Sequence, residues 1–283
     1  MFNRITRSFD LLKASATVLK ADRHLLVFPL ISGVALVMVL ACFALPLFGM
    51  GAFDGIRSES DVTPVLYSAA FLFYVVQYFV IFYCNAALVG CVLMRLDGGA
   101  PTVKDGLRIA NSRFGAILGY AVIAATVGMI LRAIEERVGF LGRWITALVG
   151  AGWTLATFLV VPVLVARDAG AIASVKESAG MFKRTWGENV AGQAGLGIAF
   201  SIIQLGLIAA GGIAIAVFIA VFKLPVLALL MIVLTVFAVL ATLLFHSALT
   251  GIYSAVLYRY ASTGDAATGF DNGVLGTAFL PKK

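Results

Sequence analysis

PVLALLMIVLTVFAVLATLLFHSALTGIYSAVLY, residues 225–258, runs through 34 positions without one Asp, Glu, Lys or Arg. A helix needs roughly 20 apolar residues to cross ~30 Å of hydrocarbon, so this stretch is long enough to span a bilayer. Five more apolar runs precede it, over 25–47, 64–94, 114–131, 144–166 and 190–222. Six such runs cannot all be core helices of a soluble protein of 283 residues. The pattern predicts an all-α, polytopic membrane bundle of six transmembrane helices paired as three hairpins.

Composition points the same way. The chain is 61% hydrophobic and 12% charged, about half the ~25% charge of a soluble domain. Its mean hydropathy is +1.03. A net charge of +7 and a pI of 9.5 fit nucleic acid as a partner only if the charges form a patch. They instead flank the apolar runs, so anionic lipid headgroups are the expected partners and nucleic acid is not. Sixteen of the 21 Lys and Arg fall in residues 1–24, 95–113, 167–188 and 259–283. By the bias of basic residues toward the cytoplasm, both termini are expected there. The basic N-terminus and the run behind it loosely resemble a lipoprotein signal at Cys42. Phe43 to Phe48 continue the apolar run, however, so an uncleaved first span is expected.

A shift of 72 residues brings two segments into register. Arg95 meets Arg167, Gly98 meets Gly170, Val103-Lys104 meets Val175-Lys176, and Gly115 meets Gly187. The shared unit is a basic helix end, a glycine turn, an amphipathic segment and an aromatic-glycine entry to the next span. Val103, Leu107, Ala110 and Phe114 form one stripe; Val175, Ala179, Phe182 and Trp186 form its counterpart. Ser174 with Glu177 reads as a capping box, and Thr102 with Asp105 as a weaker one. Lys104, Arg108, Lys176 and Lys183 flank the stripes and are the lipid-headgroup candidates. Docking of the stripes on the lipid surface and on the bundle itself both fit the periodicity. A more diverged copy, with Ile5, Phe9, Leu12, Ala16 and Leu19 in its stripe, precedes the first span. Three units follow, about 1–99, 100–171 and 172–261, in a single domain 1–261, with a flexible cytoplasmic tail over 262–283.

Polar residues inside spans are the candidate functional groups. All 14 acidic residues lie in loops or at span edges, which argues against a carboxylate-based proton carrier. Asn85, Pro162 and His246 stand in the second helix of the three hairpins, one each. With Gln77 and Gln204 they are the cavity-lining candidates; helix-to-helix hydrogen bonds and a kink are the alternative. Six glycines in the fifth span suggest close packing. Trp144, Tyr120, Tyr258 and Tyr260 suggest interfacial anchors. The three cysteines read as free and buried.

No HExxH, Walker A or GxSxG pattern occurs, and two histidines are too few for a histidine-based metal site. No catalytic residue, metal or cofactor is therefore expected, and the chain is not read as an enzyme.

The stretch Pro162-Val-Leu-Val-Ala-Arg-Asp168, with Ser174-Val-Lys-Glu-Ser178 and Thr185-Trp-Gly187, resembles a group of uncharacterised bacterial six-span membrane proteins. That group includes the membrane portion attached to some glycerophosphodiester phosphodiesterases. The resemblance implies an all-helical inner-membrane protein of unassigned role. The catalytic domain of those enzymes has no counterpart here, so their activity does not carry over. Two readings remain open: passage or handling of a lipid or small molecule through a cavity among the hairpins, and an accessory role in which basic interfacial helices hold anionic lipid or a membrane protein partner.

Overall fold

The computed structural model describes Leu19 and residues 22–49 and 64–263, without the side chains of 64–65, 140–141, 183–194, 260 and 263. The diverged N-terminal copy (apart from Leu19), the tail beyond 263 and the side chains of Lys183, Trp186 and Tyr260 lie outside the described residues.

A 3-10 turn, Arg23–Leu26, leads into α1, Val27–Gly49. Then come α2, Pro64–Leu96, α3, Val103–Ser112, and α4, Phe114–Arg137. The fourth span is split into α5, Phe140–Ala156, and α6, Val160–Ala166. Two long helices close the fold, α7, Ala171–Ala220, and α8, Pro225–Thr263. No strand occurs among the described residues. Among the described residues, six helical segments are long and apolar enough to cross a membrane: Arg23–Gly49, Leu66–Leu96, Phe114–Arg137, Gly142–Ala166, Gly195–Ala220 and Pro225–Arg259. The chain is an all-α, multi-pass bundle.

Its core is built by the second helices of the hairpins. Ala86, Ala87, Leu88, Val89, Cys91 and Val92 of α2 pack with Val160, Val163 and Leu164 of α6 and with Ala248, Ile252, Ala255 and Leu257 of α8, all at 2% exposure or less. Without a hydrophobic drive between helices in lipid, small residues that let backbones approach provide the packing. The outward faces of α7 and α8 carry exposed Ile202, Leu205, Leu229 and Phe237, as lipid-facing surfaces do.

The two matched segments differ in structure. After α2 the chain turns at Gly98, whose φ of +85° favours glycine. The matching Gly170 has an ordinary φ of −70°, so that turn makes no such demand. The capping boxes reverse the sequence expectation. Thr102 caps α3: the Asp105 amide donates to its hydroxyl at 3.3 Å and its own amide donates to the Asp105 carboxylate at 3.0 Å. Ser174 caps nothing, because α7 already begins at Ala171 with Gly170 as its cap. Glu177 pairs instead with Arg167 at 2.8 Å.

The first amphipathic segment ends at Arg113, where φ −110° and ψ 13° leave the helix. The second runs unbroken into its span as one helix of 50 residues, or about 75 Å. The lone Gly187 between them weakens a helix by only about 1 kcal/mol, too little to break it. Of the described α7 glycines with known surroundings, only Gly211 fits close packing, with a Cβ there meeting Thr235. Gly197, Gly206 and Gly212 face open space.

Three smaller expectations are also corrected. Cys42 is exposed, while Cys84 and Cys91 are buried. Tyr120 and Tyr258 are 4% and 5% exposed and belong to the core. Tyr120 stacks on Phe82 at 4.4 Å, and the Tyr258 hydroxyl accepts from Arg167 at 3.4 Å. Trp144 is exposed.

Candidate functional site

α3 docks on the bundle through its smallest residues. Gly106 and Ala110 are buried. A Cβ at Gly106 would come within 2.6 Å of Phe28 and 2.7 Å of both the Ala87 carbonyl and the Cys91 sulfur. The opposite face carries Lys104, exposed, and Arg108, 72% exposed and 3.2 Å from Asp105. Lys176 is likewise exposed on α7. The Lys183 side chain lies outside the described residues.

The Thr102 hydroxyl and amide hold the Asp105 carboxyl below the usual carboxylate range. A depressed folded pKa stabilises the fold above the unfolded pKa, and that stability is lost as pH falls through the folded value. The cap should therefore persist just below the ordinary carboxylate range and fail only in stronger acid. Thr102→Ala should shift the acid loss of stability to higher pH. Thermal midpoints of both proteins against pH would show it; superimposable profiles would exclude the cap as the acid-sensitive element.

Around the ends of the helices on this side runs a collar of ion pairs. Asp22 pairs with Arg95 at 3.1 Å, Arg113 with Asp168, Arg167 with Glu177, and Arg259 with Asp97. Arg95, Arg167 and Arg259 each follow the second helix of a hairpin or end its span, so each hairpin is tied at the same level. Partly exposed pairs contribute little stability singly; here they fix register. None was legible in the sequence, and three of the four join residues more than 50 positions apart.

Deeper in, α1, α2 and α8 border a half-open cavity of about 260 Å³, with Ile81 and Ser247 at its exposed side. Asn85 of α2 and His246 of α8 both line it, with Ser32 of α1, Cys84, Ser247 and Thr250 as further polar or thiol groups. The His246 ring lies 4.7 Å from the Phe200 ring of α7. A Cβ at Gly251 would come within 2.9 Å of the Asn85 side-chain oxygen, so the small residue on α8 makes room for the amide. Thirteen residues separate His246 from Arg259 and ten separate Asn85 from Arg95, placing both about 15–20 Å along the helix from those arginines.

Three sequence candidates lie elsewhere. Pro162 is buried in α6 and lines neither this cavity nor the one at the helix ends. Gln77 on α2 and Gln204 on α7 are half-buried and also stand outside both. Pro162 accounts for the split span: its ring crowds the carbonyl four residues back and supplies no N–H to it. Arg132, toward the opposite end, donates to Tyr74 at 2.9 Å and to Glu136 at 3.0 Å. Among the described residues no three His, Cys, Asp or Glu come together as a metal site would need.

A family model described as "Family of unknown function (DUF6159)" matches residues 65–270. No curated protein and no solved structure matches. The match covers well over half of the chain, so the chain belongs to that family.

Proposed function

We propose that this member of a family of unknown function is a non-enzymatic membrane protein that passes or handles a lipid or small molecule through the cavity between α1, α2 and α8. One observation carries the reading. Two polar side chains from separate hairpins, Asn85 and His246, line the same space inside otherwise apolar helices. Polar groups at membrane depth are costly and tend to mark ligand paths. Ser32 and Thr250 add hydrogen-bonding capacity without charge, which suits a neutral or amphipathic ligand. The excess of basic residues beside the ion-pair collar supports placing that side, and both termini, in the cytoplasm of an inner membrane.

The test is native mass spectrometry of the protein taken from its own membrane into lipid nanodiscs. A defined retained molecule, lost in His246→Leu and Asn85→Leu while the protein stays monodisperse, is the expected result. Unchanged retention in both variants would reject the cavity as the site.

A second reading has its own observation: Lys104 and Arg108 point outward from a docked helix. On that reading the exposed basic faces, Lys176 and Lys183 included, hold anionic lipid or a partner protein. Charge reversal at all four would then remove function, and His246→Leu would leave it intact.

A further inference from the structure

A second cavity, of about 350 Å³, lies where the ends of α2, α6 and α8 converge, with Ile109 of α3 also lining it. Its mouth carries Asp97 and Arg259, paired with each other yet 56% and 32% exposed. The buried Tyr258 and the exposed Ser262 also line it, and the Tyr258 hydroxyl connects to Arg167. The other walls are apolar, with Leu93, Met94 and Val165 among them. The half-open cavity therefore sets an exposed charged pair beside apolar walls at the ends of the spans.

We propose that this cavity binds a zwitterionic phospholipid with a primary-amine headgroup, of the phosphatidylethanolamine type. The pair offers one cation and one carboxylate side by side, as such a headgroup offers one phosphate and one ammonium. Laid antiparallel, the phosphate meets Arg259 and the ammonium meets Asp97, so all four charges alternate. A purely anionic headgroup would bring its charge against Asp97. A choline headgroup has no N–H to donate to that carboxylate, and recognition of quaternary ammonium relies on aromatic cages; Tyr258 alone makes none. The apolar walls take the first part of an acyl chain, which a free solute lacks. This site is separate from the Asn85–His246 cavity and stands without it.

The test uses the full chain in detergent, offered ethanolamine, choline and glycerol phospholipids with identical acyl chains, and read by native mass spectrometry. One ethanolamine lipid should be retained roughly tenfold over the others, the size of one charge-assisted hydrogen bond. Ala166→Phe fills the cavity from an exposed position while sparing the ion pair, and should abolish the preference. Asp97→Asn should remove the advantage over choline lipid, and His246→Leu should change nothing. Equal retention of all three lipids, or a preference that survives Ala166→Phe, overturns the proposal. So does a preference lost only in His246→Leu, which would assign the lipid to the deeper cavity. Displacement of the lipid by soluble phosphoethanolamine at equal concentration would overturn it in favour of a free solute.

Discussion

Gly106→Ala should undock α3 from the bundle and cost more stability than a single methyl group suggests. The added Cβ would meet the Phe28 ring at 2.6 Å, the Cys91 sulfur at 2.7 Å and the Ala87 carbonyl oxygen at 2.7 Å. The phenyl ring has some freedom to rotate away, but the carbonyl belongs to the backbone of α2 and does not. Overpacking of this kind costs about 1–3 kcal/mol when neighbours can shift; with a fixed backbone in the way, α3 itself must move. Cys91 reports that movement. It is 2% exposed and its thiol donates to the Thr102 carbonyl at 3.4 Å, directly beneath α3. With Cys42 and Cys84 both replaced by alanine, so that Cys91 is the one thiol left, maleimide labelling should be slow in the parent and fast in Gly106→Ala. The thermal midpoint should fall in parallel. Slow labelling together with an unchanged midpoint would mean that the helix is not held by this contact.

The sequence was most informative where one physical quantity decides. An apolar run long enough for the bilayer becomes a helix because no other partner satisfies its backbone, and all six spans were legible on that ground. Asn85 and His246 stood out for the same reason, as polar residues among apolar ones. Their shared cavity did not, since it also needs Ser32, Cys84 and Thr250. Small polar residues are frequent in membrane helices, and nothing local marks which of them meet. The cap at Thr102 and the absence of one at Ser174 show the same limit. Both motifs satisfy the spacing rule, but α7 starts three residues before Ser174, so its first-turn amides are already elsewhere. The interfacial segments read alike in sequence as well. α3 is a separate helix that ends at Arg113, while the start of α7 is continuous with its span. Pro162 announced a break without announcing what repairs it.

That repair sets the second large expected effect. At the split between α5 and α6, the Val160 amide bonds to Thr157 and the Phe158 amide to Leu155. The Ala156 carbonyl and the Leu159 amide are thereby left without their helical partners. Ser178 of α7 supplies both: its hydroxyl donates to the Ala156 carbonyl at 2.7 Å and accepts from the Leu159 amide at 3.1 Å. Leu159 is 1% exposed and Ser178 fully buried, so water cannot take over. Each orphaned buried group costs about 1–3 kcal/mol, and in lipid no alternative partner exists. Ser178→Ala should therefore lower the thermal midpoint clearly and loosen the contact between α6 and α7. Ser174, one turn earlier on the same helix, is the control. It is as deeply buried, but its hydroxyl has no hydrogen-bond partner among the described residues. Ser174→Ala removes an unsatisfied polar atom and should leave stability unchanged or raise it. If the two alanine variants lose stability equally, burial rather than backbone repair governs this face of α7. If only Ser178→Ala does, the split span is held by that one hydroxyl.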